Sequence, residues 1–180
     1  MSGRFIAVVG PSGVGKDSVM EAMAARDPRI ALARRVITRP SAAGGEDFDG
    51  VTTAEFKAQE TAGQFALSWE AHQMHYAIPM SVNALLQAGL DVLANLSRSA
   101  LLPAMKQFER LEIIHLTAKR DVLAERLAAR GRETKTEILH RLDRAPLTLP
   151  DGLTAWNIDN SGPLDRTVQT ALDHLYGSGA

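Results

Sequence analysis

Hydrophobic residues along this chain fall mostly in short runs, several of them followed by a stretch with helical spacing. Phe5-Ile6-Ala7-Val8-Val9 is such a run, ended by Gly10-Pro11, and the lack of polar alternation predicts a strand buried on both faces in a parallel sheet. Asp17 to Arg26, rich in Met, Ala and Glu, predicts a helix halted before Pro28. Leu90 to Leu96 and Leu111 to Leu116 predict further buried strands. Each precedes a helical stretch, Arg98 to Phe108 and Lys119 to Arg130, the latter stopped by Gly131. Trp156 to Ile158 reads as a last short strand. Pro163 to Tyr176 reads as a closing helix with Leu164, Val168, Ala171, Leu172 and Leu175 on one face. Repeated strand-then-helix units imply an α/β fold built on a parallel sheet.

The middle of the chain breaks this rhythm. Thr38 to Gly50 holds Pro40, Gly44, Gly45 and Gly50, a loop too long for a simple connector and therefore expected to be functional. An inserted subdomain is expected from there: Thr52-x-x-Glu55 has capping-box spacing for a helix to about Thr61, and Gln64 to Glu70 and Gln73 to Ile78 read as strands. Glu133 to Arg144 is a second interruption, charged and helical.

Composition narrows the function classes. With 180 residues the chain suits one compact domain, and 20 Lys and Arg against 21 Asp and Glu leave no global field for nucleic acid or an anionic membrane. The absence of cysteine excludes disulfides, thiolate metal sites and a cysteine nucleophile. Without a signal-peptide core or a run of membrane-spanning length, the expectation is a soluble cytoplasmic protein. His72 and His75, three residues apart beside a predicted turn, have no third-ligand pattern and read as surface or packing residues.

Gly10-Pro11-Ser12-Gly13-Val14-Gly15-Lys16 matches G-x-x-x-x-G-K between a predicted strand and a predicted helix, the context that motif requires. Glycines let successive N–H groups face a phosphate, the helix start adds its positive dipole end, and Lys16 reaches the β- and γ-phosphates. The residue after the lysine is Asp17, with Ser18 following, where a hydroxyl is usual. Asp17 is either a Mg²⁺ ligand, its charge tolerated beside triphosphate because the metal bridges them, or a cap of the helix.

With this loop, Ile37-Thr38-Arg39-Pro40, Gly45-Glu46 and Arg130-Gly131, the chain resembles guanylate kinases along nearly its whole length. GKDS, ITRP, AGGE, FALSW and RGRE together resemble the ribose 1,5-bisphosphate phosphokinase subgroup, which acts in phosphonate breakdown. The resemblance implies a P-loop NTPase three-layer fold with a core of residues 1–37, 90–131 and 146–180, an acceptor-binding insert 38–89 and a lid 132–145. It implies ATP as co-substrate, Mg²⁺, and a small phosphosugar as partner.

By the same resemblance Gly10 to Ser18 hold the nucleotide, Asn160 contacts adenine, and Arg130 and Arg141 are the catalytic lid arginines, with Arg132 an extra cation. Arg39 and Tyr76 correspond to phosphate-contacting positions. Guanylate kinases read guanine through a Glu before the Trp; Ser68 stands there, and no second arginine follows Pro40. Guanine is therefore poorly served. Ser68 and Asn95 are expected to bond ribose hydroxyls, and Arg98 to add a cation near a strand end. The expected reaction is phosphorylation of ribose 1,5-bisphosphate; the rivals are a nucleoside monophosphate kinase and a non-catalytic interaction module.

Overall fold

The computed structural model describes residues 2–43, 46–131, 133–144 and 148–177, less the side chains at 141 and 144. The elements in order are β1 (Phe5–Val9), α1 (Lys16–Arg26), β2 (Ile30–Leu32), β3 (Arg35–Ile37), β4 (Phe48–Gly50), α2 (Thr53–Thr61), β5 (Phe65–Ala71) and β6 (Met74–Pro79). They continue with α3 (Val82–Gln87), β7 (Asp91–Asn95), α4 (Leu101–Gln107), β8 (Leu111–Thr117), α5 (Arg120–Ala128), α6 (Lys135–Arg144), β9 (Trp156–Asp159) and α7 (Leu164–Tyr176). One five-stranded sheet has the order β2-β7-β1-β8-β9, and β2 with β7 and β8 with β9 pair in parallel. A four-stranded sheet has the order β4-β3-β6-β5.

The chain divides into two compact units: Met1–Ala7 with Ala24–Glu112, and Val8–Met23 with Ile113–Ala180. In the first unit, Phe5 stacks on Phe108 at 3.8 Å, and Arg4 donates to both carboxylate oxygens of Asp91 and to Glu112. The four-stranded sheet belongs wholly to this unit. Its strands β5 and β6 are joined through His72 and Gln73, both with positive φ, which gives the tight hairpin a twist matching its strands. The capping box is formed as its spacing predicts: Thr52 Oγ1 accepts from the Glu55 amide and Glu55 returns the bond to the Thr52 amide at 2.7 Å. Helix α2 then covers one face of the sheet, Phe56 packing on Val36 and Ala77.

Three strands, β2, β3 and β4, are absent from the hydrophobic reading because runs of three residues carry too little periodicity to register. The stretch read as one loop over Thr38 to Gly50 therefore ends in a strand, and the smaller sheet recruits Arg35–Ile37 ahead of that loop. The helix expected over Arg98 to Phe108 begins as a 3-10 turn, Arg98–Ala100, before α4.

In the second unit, α6 opens on a reciprocal pair: the Thr134 amide donates to Glu137, and the Glu137 amide to Thr134 Oγ1. Ile138, fully buried, lays α6 against Ala124 and Leu127 of α5, with Leu139 and Leu142 beside it. Of the apolar face expected on α7, Val168, Ala171, Leu172 and Leu175 are buried, whereas Leu164, in the first turn, is exposed.

Candidate active site

The phosphate loop joins β1 to α1 within the second unit, and its glycines are imposed by geometry. A Cβ on Gly10 would stand 2.5 Å from the Leu116 carbonyl oxygen; Gly15 has φ +93° and its Cβ would meet Asn160 Nδ2 at 2.9 Å. The loop backbone therefore packs against Leu116 and Asn160 too closely for a side chain at either position. Lys16, at the first turn of α1, donates from Nζ to the Gly10 carbonyl at 2.9 Å. Asp17 and Ser18 follow in that turn, where the helix dipole favours anionic groups.

Asn160 lies under the loop, not at its rim. It is 4% exposed; Nδ2 donates to the Val14 carbonyl at 2.7 Å, Oδ1 accepts from Thr167 Oγ1 at 2.7 Å, and its backbone amide donates to Thr117. Arg126 of α5 donates to the same Val14 carbonyl at 3.2 Å and to the Asn160 carbonyl at 2.7 Å. The side chain expected at adenine is instead engaged in bracing the loop. Sequence reasoning missed Arg126 and Thr167; the only signal was Arg126 one helical turn ahead of Arg130. Arg130 is exposed just beyond α5, before Gly131 with φ +69°. Arg141 is on α6, its side chain outside the described residues, as is Arg132 altogether.

The residues expected to hold the acceptor belong to the first unit. Register sorts them: Ile37 pairs with Tyr76 and Trp69 with Tyr76, whereas Val36 and Ser68 each pair with Ala77. Because neighbours along a strand point to opposite faces, Arg35, Trp69 and Tyr76 share one face, and Ser68 shares the other with α2. Trp69 stacks on Tyr76 at 5.5 Å and the Arg35 guanidinium lies 5.1 Å from the Tyr76 ring centre. Ser68 instead donates to Glu60 of α2 at 2.5 Å. The expectation that Ser68 joins Tyr76 at one ligand is corrected by this register.

Arg39 follows β3 with its guanidinium 4.4 Å from the Phe48 ring centre. Burial pushes the Tyr76 hydroxyl above its usual range, against the lowering pull of Arg35 and Arg39, so the phenol is a neutral donor near pH 7. Asn95 ends β7, and Arg98 opens the turn after it; both are half-buried. Arg35, which sequence reasoning passed over, is 7% exposed and forms a two-point ion pair with Glu46. Glu46 was legible only as half of the Gly-Glu motif, whose Gly45 lies outside the described residues.

Among the described residues no group of three or more His, Asp or Glu side chains is placed to hold a metal, and no helix is long and apolar enough to cross a membrane. A cation shared with nucleotide phosphates needs only one or two protein carboxylates, which Asp17 can supply.

No protein-family model matches the chain. It is 50% identical over 170 residues to a Ruegeria sp. (strain TM1040) protein named ribose 1,5-bisphosphate phosphokinase PhnN, covering 94% of this chain and 90% of that one. A protein of the same name from Agrobacterium fabrum is 44% identical over 180 residues, covering 97% and 98%. Among solved structures, the guanylate kinase of Anaplasma phagocytophilum superposes with a TM-score of 0.69 at 17% identity, covering 97% of this chain and 85% of that one. That likeness establishes a guanylate-kinase-like fold.

Proposed function

The chain belongs to the ribose 1,5-bisphosphate phosphokinase family, and from that membership we propose that it phosphorylates ribose 1,5-bisphosphate with ATP, giving ADP and 5-phospho-α-D-ribose 1-diphosphate. The observation that carries the reading is 50% identity over nearly the full length of a relative so named.

The chemistry is an in-line transfer. An oxygen of the phosphate on C1 forms a bond to the γ-phosphorus, and the bond from that phosphorus to the β,γ-bridging oxygen breaks, its electron pair leaving with ADP. The attacking oxygen is already ionised at neutral pH, so no general base is required, and alignment with charge neutralisation supplies the acceleration. On this reading the amides of Gly10 to Lys16 and the Lys16 ammonium hold the donor phosphates. Mg²⁺, when bound, offsets phosphate charge, and Asp17 is the residue that would hold it. Arg130 and Arg141 are the cations assigned to the transferring group's charge; well-placed arginines are worth about 10³ to 10⁵ in rate elsewhere. Arg39 and the neutral Tyr76 hydroxyl take the acceptor's phosphate, with Asn95 and Arg98 beside the sugar. Ser68, on the opposite face of the sheet, has no part in it.

The reading is tested by ³¹P NMR of the products formed from ATP and ribose 1,5-bisphosphate. Loss of the C1 monophosphate resonance with growth of a coupled diphosphate pair, matched by ADP, is expected. ADP accompanied by inorganic phosphate, with the sugar unchanged, would reject the acceptor.

A further inference from the structure

The Arg35–Glu46 pair has the placement of a device rather than of surface decoration. Arg35 Nε donates to Glu46 Oε2 at 3.0 Å and Nη2 to Oε1, while Nη1 donates to the carbonyl of Asn95 at 3.0 Å. The two side chains are 8% and 15% exposed. A buried ion pair contributes little net stability compared with apolar residues of the same size, so stability is a poor reason for its presence. What it does is join parts. Arg35 belongs to β3, Glu46 to the loop before β4, Tyr76 under the guanidinium to β6, and the bonded carbonyl to the end of β7.

A second bond completes the arrangement: Trp69 Nε1 of β5 donates to Ser97 Oγ at 3.0 Å. Residues 95 to 97, leading into Arg98, are therefore pinned at both ends by the same face of the smaller sheet, the face that carries Tyr76. Resting on the function proposed above, we propose that Arg35 and Glu46 are positioning residues for the phosphosugar acceptor. The pair fixes the segment bearing Asn95 and Arg98 against Tyr76 and Arg39, so that cation and hydroxyl partners stand ready before the sugar bisphosphate arrives. The pair touches the segment, not the reacting atoms.

Glu46→Gln separates this role from a simple field effect. Removing a negative charge beside a polyanion's site should, by Coulomb attraction alone, tighten binding. A loosened segment should weaken it. The expected result is a rise of about tenfold in KM for ribose 1,5-bisphosphate, with KM for ATP unchanged, because a positioning loss at one substrate leaves the other's binding intact. Arg35→Lys, which keeps the charge but not the two-point fork, should behave alike. Thermal unfolding of each variant is followed alongside. An unchanged or lowered KM for the sugar overturns the inference, as does a parallel rise in both KM values, which would mark general damage. A wild-type protein inert toward ribose 1,5-bisphosphate would overturn the proposed function and this inference with it; an active wild type with an unaffected Glu46→Gln overturns the inference alone.

Discussion

Replacing Asn160 by alanine distinguishes a brace from a base contact. The substitution removes two hydrogen bonds, Nδ2 to the Val14 carbonyl and Thr167 Oγ1 to Oδ1, both at 2.7 Å and both buried. Buried bonds of this kind contribute roughly 0.5 to 1.5 kcal/mol each, so the loss is about 2 kcal/mol. The Val14 carbonyl keeps Arg126 and the Thr167 hydroxyl keeps the more distant Asp159 carbonyl, which limits the loss to that order. At roughly 2 to 4 °C per kcal/mol for a chain of this size, Tm should fall by about 4 to 8 °C. Asn160→Asp should cost more, because an acceptor oxygen then faces the Val14 carbonyl oxygen where a donor stood. The assay is thermal unfolding with and without saturating Mg·ATP, paired with KM for ATP. An unchanged Tm together with a large rise in KM for ATP would refute the brace and return the side chain to adenine.

Three further outcomes follow from other regions. Gln73→Gly relieves a positive φ of 61° in the β5–β6 hairpin and should raise stability by roughly 1 kcal/mol in denaturant unfolding; no gain, or a loss, would show that the turn is not strained. Asp27 is held below the usual carboxylate range by its hydrogen bonds from Arg29, so its folded pKa lies under its unfolded value of about 3.9. Its contribution is complete above that unfolded value and is lost as pH falls through the folded pKa, so the stability gap between wild type and Asp27→Asn at pH 7 should close as pH falls below the unfolded value in denaturant titrations. A gap constant with pH would contradict the linkage. Asp17→Ala should lower Mg²⁺ affinity more than ATP affinity in titrations of activity against each; equal losses, or none, would leave Asp17 a helix cap.

Legibility in the sequence followed the strength of local signals. The buried strand β1 announces itself as an unbroken apolar run and β7 and β8 as largely apolar ones, and the Thr52 capping box as a fixed spacing whose bonds the structure forms. The face on which Ser68 lies was not legible, because it depends on which residue of β6 stands opposite, and one step of register reverses it. Arg35 was hidden for a related reason: in a three-residue strand, the adjacent Arg34 and Arg35 look alike, yet one is half exposed and the other nearly enclosed. Asn160 shows a different limit. A motif position can suggest a ligand, but only coordinates reveal that the amide is already engaged by Val14 and Thr167.

The most direct test of the central claim is a coupled ADP-release assay with Mg·ATP, offering ribose 1,5-bisphosphate and GMP in parallel, with Lys16→Ala as control. The account predicts turnover on the sugar bisphosphate alone, abolished in the control. Turnover on GMP alone would contradict it and make the chain a divergent nucleoside monophosphate kinase.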